Sequence, residues 1–70
     1  MSSRLLFTIA ARTQGWQLYE GEHGRSWFPS LGEARENAKL LAATLHEHHG
    51  IPTAVIIDMG RESVELARHG

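Results

Sequence analysis

The chain of 70 residues is long enough for one hydrophobic core, because a chain of this size buries only about 60% of the surface that its unfolded form exposes. Seven basic and eight acidic side chains give a formal net charge of −1, which excludes a strong single-sign field for attracting phosphate backbones, anionic lipids or a polycation. Because the sequence contains no cysteine, disulfides and thiolate ligands are excluded. The first apolar segment is too short for a signal peptide or a membrane span. We therefore expect one cytoplasmic domain over residues 1–70.

The first 28 residues have the alternating apolar pattern of β-strands. Apolar side chains alternate over Leu5–Ala11, and a second alternating segment follows a turn at Gly15. After a turn at residues 22–24, a short strand over residues 25–28 ends at Pro29, because proline cannot donate to a strand ladder. The pattern predicts a three-stranded meander, and we expect Trp16 and Trp27 to be core residues since aromatic side chains supply much of the burial in a small domain.

A helix is predicted to follow this meander. Ser30 stands three residues before Glu33, which is the spacing of a capping box, so the helix should begin at Leu31. Gly50 has the position of a left-handed C-terminal cap, and Pro52 prevents the helix from resuming. Apolar residues recur at helical spacing and should face the sheet: Leu31, Ala34, Ala38, Leu41 and Leu45.

Two further strands complete the predicted fold. Residues 52–58 are apolar on both sides of a strand, and residues 62–68 form a second strand with Val64 and Leu66 directed inward. The element order is βββ-α-ββ. This order predicts an α+β domain with a mostly antiparallel sheet of four or five strands and one helix packed on one face.

The histidines of the segment LHEHHG are the first candidate site. His46 and His49 lie three apart on the predicted helix and can share a metal, with Glu47, His23 or His69 as a further ligand. Alternatively, histidines in a last turn cap carbonyl groups and complement the helix dipole. The sequence favours capping, since the four-residue spacing of paired helical zinc ligands is missing, so we expect no metal and no cofactor.

Catalytic patterns are weak in this sequence. Ser30 is better explained as a helix cap, and Ser63 has no histidine near it in sequence. The glycines match neither a dinucleotide-binding fingerprint nor a phosphate-binding loop. We therefore expect no catalytic residues and no enzyme activity.

Nucleic-acid binding is an alternative that the aromatic residues keep open. A three-stranded meander can present stacking surfaces beside basic side chains. Glu20 and Glu22 interrupt the basic residues, however, which weakens the electrostatic pull on a phosphate backbone. The candidate nucleic-acid contacts are Arg4, Arg12, Trp16, Arg25 and Trp27.

Several short motifs resemble known families. The pattern of Gly15 and Trp16, then residues 28–30, then Glu33 and Ala34, is similar to a family of short bacterial proteins of unknown function, with the likeness spanning residues 15–70. That resemblance implies a fold and no activity. Residues 33–38 also resemble the helix of HicB-type antitoxins, and the meander followed by a helix resembles the arm-type DNA-binding domain of phage integrases, which together imply an antitoxin-like or DNA-binding role.

Two apolar segments lead to the functional prediction. Leu5–Ala11 and Ala54–Ile57 are apolar on both sides, whereas one helix can cover only one face of a sheet. Another surface should cover the rest, and a two-fold dimer is the simplest cover. We expect a non-catalytic protein-interaction module that binds itself as a homodimer or binds another protein.

Overall fold

The computed structural model describes residues 3–70, so residues 1 and 2 of the predicted domain lie outside the described residues. It has the predicted order βββ-α-ββ, with all five strands in one sheet. The elements are β1 (Leu5–Arg12), β2 (Gly15–Glu20), β3 (His23–Phe28), α1 (Leu31–His49), β4 (Thr53–Asp58) and β5 (Ser63–His69).

The sheet has the strand order β3-β2-β1-β4-β5, which places β1 at its centre. β1 pairs antiparallel with β2 and parallel with β4, while the β2–β3 and β4–β5 pairs are antiparallel. The prediction of a mostly antiparallel sheet is therefore confirmed. The parallel pair arises because α1 carries the chain back along the sheet, so β4 begins at the end where β1 begins.

The core lies between α1 and one face of the sheet. The helix contributes Ala34, Ala38 and Ala42, whose small side chains allow the helix to lie close to the strands. Thr53 is also buried there, and its hydroxyl donates to the Ala42 carbonyl oxygen at 2.9 Å, which satisfies a polar group that would otherwise be costly to bury. The strands contribute the large buried side chains of this core: Phe7, Ile9, Leu18, Val55 and Ile57.

Both predicted helix caps are confirmed. The Glu33 N–H donates to the Ser30 hydroxyl oxygen at 3.2 Å, and the Gly50 N–H donates to the His46 carbonyl oxygen at 2.9 Å with Gly50 at φ 66°. One detail differs from a full capping box. The Glu33 carboxylate accepts from the Ser30 hydroxyl at 3.4 Å, so it does not accept from the Ser30 backbone as predicted.

The strand bounds differ from the predictions by one or two residues. β3 begins at His23, because the second turn occupies residues 21–22 and is tighter than predicted. Val64 lies opposite Ile57 and so on the helix-covered face, but it is 45% exposed and not part of the core as expected, since it lies near the start of the edge strand β5; Leu66 does pack against the core. Within residues 3–70, no helix is long and apolar enough to cross a membrane.

Candidate interaction surface on the open sheet face

The face of the sheet opposite α1, called the open face here, is covered by no other element of residues 3–70. Residues directly opposite each other on neighbouring strands point to the same face, so the strand registers define rows across it. Each row is named after its β1 residue. From β3 towards β5, the Leu6 row contains Leu6, Ala54 and Arg68; the Thr8 row contains Gly24, Tyr19, Thr8, Ile56 and Glu65; and the Ala10 row contains Trp27, Gln17, Ala10, Asp58 and Ser63.

The open face has a projecting end and a recessed end along β1. Leu6 is 42% exposed, which is high for a leucine near the centre of a sheet. Ala10, two rows away on the same strand, is only 5% exposed, because its short side chain lies below its larger neighbours. Tyr19 and Ile56 are half-buried between these two ends. The middle of the face is therefore apolar and uneven.

Trp27 lies on the open face, so the expectation that it is a core residue is wrong. Phe28 packs against the core, and successive strand residues point to opposite faces, which directs Trp27 the other way. The Trp27 ring lies directly against Gly15, where an added Cβ would be 2.5 Å from its Cζ2 atom. Trp16, by contrast, packs against the core as predicted.

Arg12 continues the open face beyond the Ala10 row and folds back over it. Its Nη2 atom donates to the Tyr19 hydroxyl oxygen at 2.6 Å, and its Cζ atom lies 5.5 Å from the centre of the Tyr19 ring. This arrangement combines a hydrogen bond with a cation–π contact. The guanidinium is thereby held next to Tyr19.

The charges of the open face are balanced. Glu65 and Arg68 form an ion pair at 3.0 Å, and the hydrogen bond from Arg68 lowers the pKa of the Glu65 carboxyl. Asp58 accepts from the Gly60 N–H at 2.8 Å through Oδ1. With Arg12, the rows carry two positive and two negative side chains, and Arg4, two residues before Leu6, also helps to lower the pKa of Glu65. Its central Thr8 row contains a charge only at its β5 end.

A cleft of about 280 Å³ opens at one end of the open face. It lies where the parallel strands β1 and β4 end, because the chain leaves β1 towards β2 and leaves β4 towards β5, in opposite directions. The position of the cleft was not predicted, because no local pattern in the sequence indicates that β1 and β4 pair in parallel. The cleft is lined by Ala10, Ala11, Arg12, Trp16, Asp58, Met59 and Gly60.

The candidate nucleic-acid residues do not share one surface. Arg12 and Trp27 lie on the open face, but Trp16 packs on the helix-covered face. Arg25 forms an ion pair with Glu20 at 2.6 Å. Arg4 is near the opposite end of β1, where its guanidinium donates to the carbonyl oxygens of Thr53, His69 and Gly70.

The candidate metal residues lie at the C-terminal end of α1. His46 is half-buried beside His69, with 6.1 Å between the ring centres, while His49 is exposed. Of the distant histidines, His69 is therefore the one that lies next to His46. Within residues 3–70, no three His, Asp or Glu side chains are grouped so that they could hold a metal ion. A metal role for His46 and His49 stays a prediction.

No family model, curated protein or solved structure matches this chain. The resemblances to the short bacterial family, to HicB-type antitoxins and to integrase arm domains therefore stay predictions. Neither Leu6 nor Ile56 was predicted as an individual surface residue. The sequence did indicate that such residues exist, because the strands that contain Leu6 and Ile56 are apolar on both faces.

Proposed function

We propose that this chain is a non-catalytic protein-interaction domain, and that its open face binds a second copy of the same chain. The observation that supports this proposal is the apolar middle of a sheet face that α1 does not cover. Leu6, Tyr19, Trp27 and Ile56 lie on that face, and the first and third of these are 42% and 50% exposed. Aromatic and aliphatic groups of this kind form the centres of protein interfaces.

The size of the open face fits a standard interface. Five strands spaced about 4.8 Å apart and six residues long give a projected area of about 500 Å². The accessible area is larger, because the side chains make the face uneven. A standard interface buries about 800 Å² on each partner, so one face of this sheet is large enough for most of a dimer contact.

The charge balance favours a second copy over a nucleic acid. Two positive and two negative side chains around an apolar middle resemble the polar rim of a protein interface. They offer no excess of cations for neutralising phosphates and releasing counterions. A second copy carries the same two charge signs, so each can find its opposite across the interface.

The test is the molar mass of the protein in solution, measured by light scattering over a range of concentrations. We expect the mass to rise from 7.8 kDa towards twice that value. Leu6→Lys should keep the chain at 7.8 kDa, because it places a charge in the apolar middle. Leu40→Lys is the matched control, since Leu40 is 67% exposed on α1 and should associate like the unmodified chain.

Two results would overturn the proposal. One is a mass of 7.8 kDa at every concentration up to the high micromolar range. The other is equal loss of association in Leu6→Lys and Leu40→Lys, which would place the contact elsewhere. Retention on a nucleic-acid column that falls with salt and is lost in Arg12→Ala would instead support the nucleic-acid alternative.

A further inference from the structure

We propose that the two copies stack face to face with their strands antiparallel, so that Leu6 of each copy enters the cleft beside Ala10 of the other. The two-fold axis would then lie between the sheets, across the strands, at the Thr8 row. This inference rests on the proposed function, because it specifies how the second copy binds. It assigns a ligand to the cleft: an aliphatic side chain from the same sequence.

The shape of the open face supports this orientation. The Leu6 row and the Ala10 row lie on either side of the Thr8 row, each about 7 Å from it along the strands. Reversing one sheet places the projecting Leu6 over the recessed Ala10 of the other copy. With parallel strands and an axis along β1, Leu6 would meet Leu6, and Ala10 would face Ala10 across an unfilled gap, which costs packing contacts.

The cleft has the chemistry that an aliphatic side chain requires. Ala10 lines the cleft from the open face, Ala11 and Trp16 line it from the helix-covered side, and Met59 adds an exposed apolar side chain. Three of the residues that line the cleft, Ala10, Arg12 and Asp58, also belong to the open face, so the cleft is continuous with that face. A leucine lying over Ala10 would bury apolar surface between the charged side chains of Arg12 and Asp58, whose charged ends lie at the rim of the cleft.

One pair of opposite charges favours the same orientation. Reversing one sheet brings Arg68, at the β5 end of the Leu6 row, over the β5 end of the Ala10 row in the second copy, next to Asp58. Opposite charges then lie close together at the rim. Each orientation brings two arginines together: Arg12 meets Arg12 in the parallel one with an axis along β1, and Arg12 comes over the strand position of Arg4 in the antiparallel one. The Arg4 guanidinium is already hydrogen-bonded to the carbonyl oxygens of Thr53, His69 and Gly70.

A spin-label distance distinguishes the two orientations. The chain contains no cysteine, so Thr13→Cys gives a single labelling position in the exposed turn between β1 and β2, outside the open face. Thr13 is five residues beyond Thr8, so antiparallel stacking predicts about 35 Å between the two labels, from the rise per strand residue and the sheet spacing. Parallel stacking predicts about 10–20 Å, because both labels would lie at the same end.

The outcomes separate this inference from the proposed function. A dimer mass with a distance near 35 Å supports both, and a dimer mass with a short distance overturns the antiparallel arrangement alone. A monomer mass together with no measurable dipolar coupling overturns both.

A double-mutant cycle tests the contact between Leu6 and Ala10. These residues lie two rows apart within one copy, about 13 Å along the strand, so they do not touch there. Leu6→Ala and Ala10→Leu should each weaken dimerisation about tenfold, and the double variant should regain most of that loss, because it exchanges the projecting and recessed positions. Additive losses in the double variant would contradict the contact.

Discussion

Both faces of the sheet contain apolar side chains, but α1 covers only one of them. Phe7 and Leu6 are neighbours in β1, yet Phe7 is fully buried under α1 and Leu6 is 42% exposed. The same contrast holds in β4, where Ile57 is buried and Ile56 is half-buried on the open face. An apolar residue thus stabilises the monomer on one face and is available to a partner on the other.

The largest expected effect comes from truncating the covered face. Phe7→Ala should lower the free energy of unfolding by about 3–5 kcal/mol, because it leaves a cavity in the core. Leu6→Ala, one residue away, should cost the dilute monomer less than about 1.5 kcal/mol, since its side chain is already partly in water. Urea unfolding at a concentration where the protein is monomeric measures both, and equal losses would remove the contrast between the faces.

A smaller effect is expected from disturbing the packing of the Trp27 ring against Gly15 on the open face. Gly15→Ala would place a Cβ 2.5 Å from the Phe28 carbonyl oxygen and 2.5 Å from Trp27 Cζ2, so the edge of the sheet must shift. We expect a loss of about 1–3 kcal/mol in stability, typical of overpacking. Gly24→Ala is the control on the same face, because its Cβ would meet neighbours only at 3.7 Å. Equal stability of the two variants would show that Trp27 is not tightly packed against Gly15.

The N-terminal cap of α1 should contribute to folding and not to association. Ser30→Ala should cost about 1 kcal/mol through the lost hydrogen bond to the Glu33 N–H. Thermal unfolding measures the cost, and light scattering should show unchanged dimerisation once the variant is folded. If Ser30→Ala folds but no longer dimerises, the connection between β3 and α1 belongs to the binding surface.

The smallest effect concerns the pH dependence that Glu65 contributes. Arg68 lowers the pKa of Glu65 in the folded state, so the stabilisation is present above the unfolded pKa and is lost as the pH falls through the folded pKa. Glu65→Gln should therefore flatten the acid side of the stability profile slightly. Denaturation at a series of pH values between 3 and 6 would show it, and a steeper acid side in the variant would contradict the sign.

The order of elements, the helix caps and the side of α1 that faces the sheet could all be predicted from the sequence. These features depend on local patterns, such as the spacing of Ser30 and Glu33 or the glycine at position 50. It also predicted that α1 would leave apolar residues on one face uncovered. That prediction followed from the apolar residues on both sides of β1 and β4, which lie at the centre of the sheet.

The remaining features depend on contacts between distant parts of the chain. The parallel pairing of β1 and β4 brings Ala10 beside Asp58, which are 48 positions apart, and so creates the cleft. The face on which Trp27 lies depends on the register of β3 against β2, which shifts between residues 18 and 19 of β2 because β3 has an extra residue there, Arg25. Local alternation indicates that neighbouring residues face opposite ways and does not say which of them faces the helix.

The isoleucine methyl groups report on the two faces and so test most directly whether the open face is the interface. Ile56 lies on the open face, Ile9 and Ile57 lie in the core under α1, and Ile51 precedes β4. Methyl-labelled protein followed by NMR from low to high concentration should show the Ile56 δ1-methyl signal moving, with those of Ile9, Ile51 and Ile57 nearly fixed. Leu6→Lys should abolish the movement. A stationary Ile56 signal while the molar mass doubles would contradict an interface on the open face.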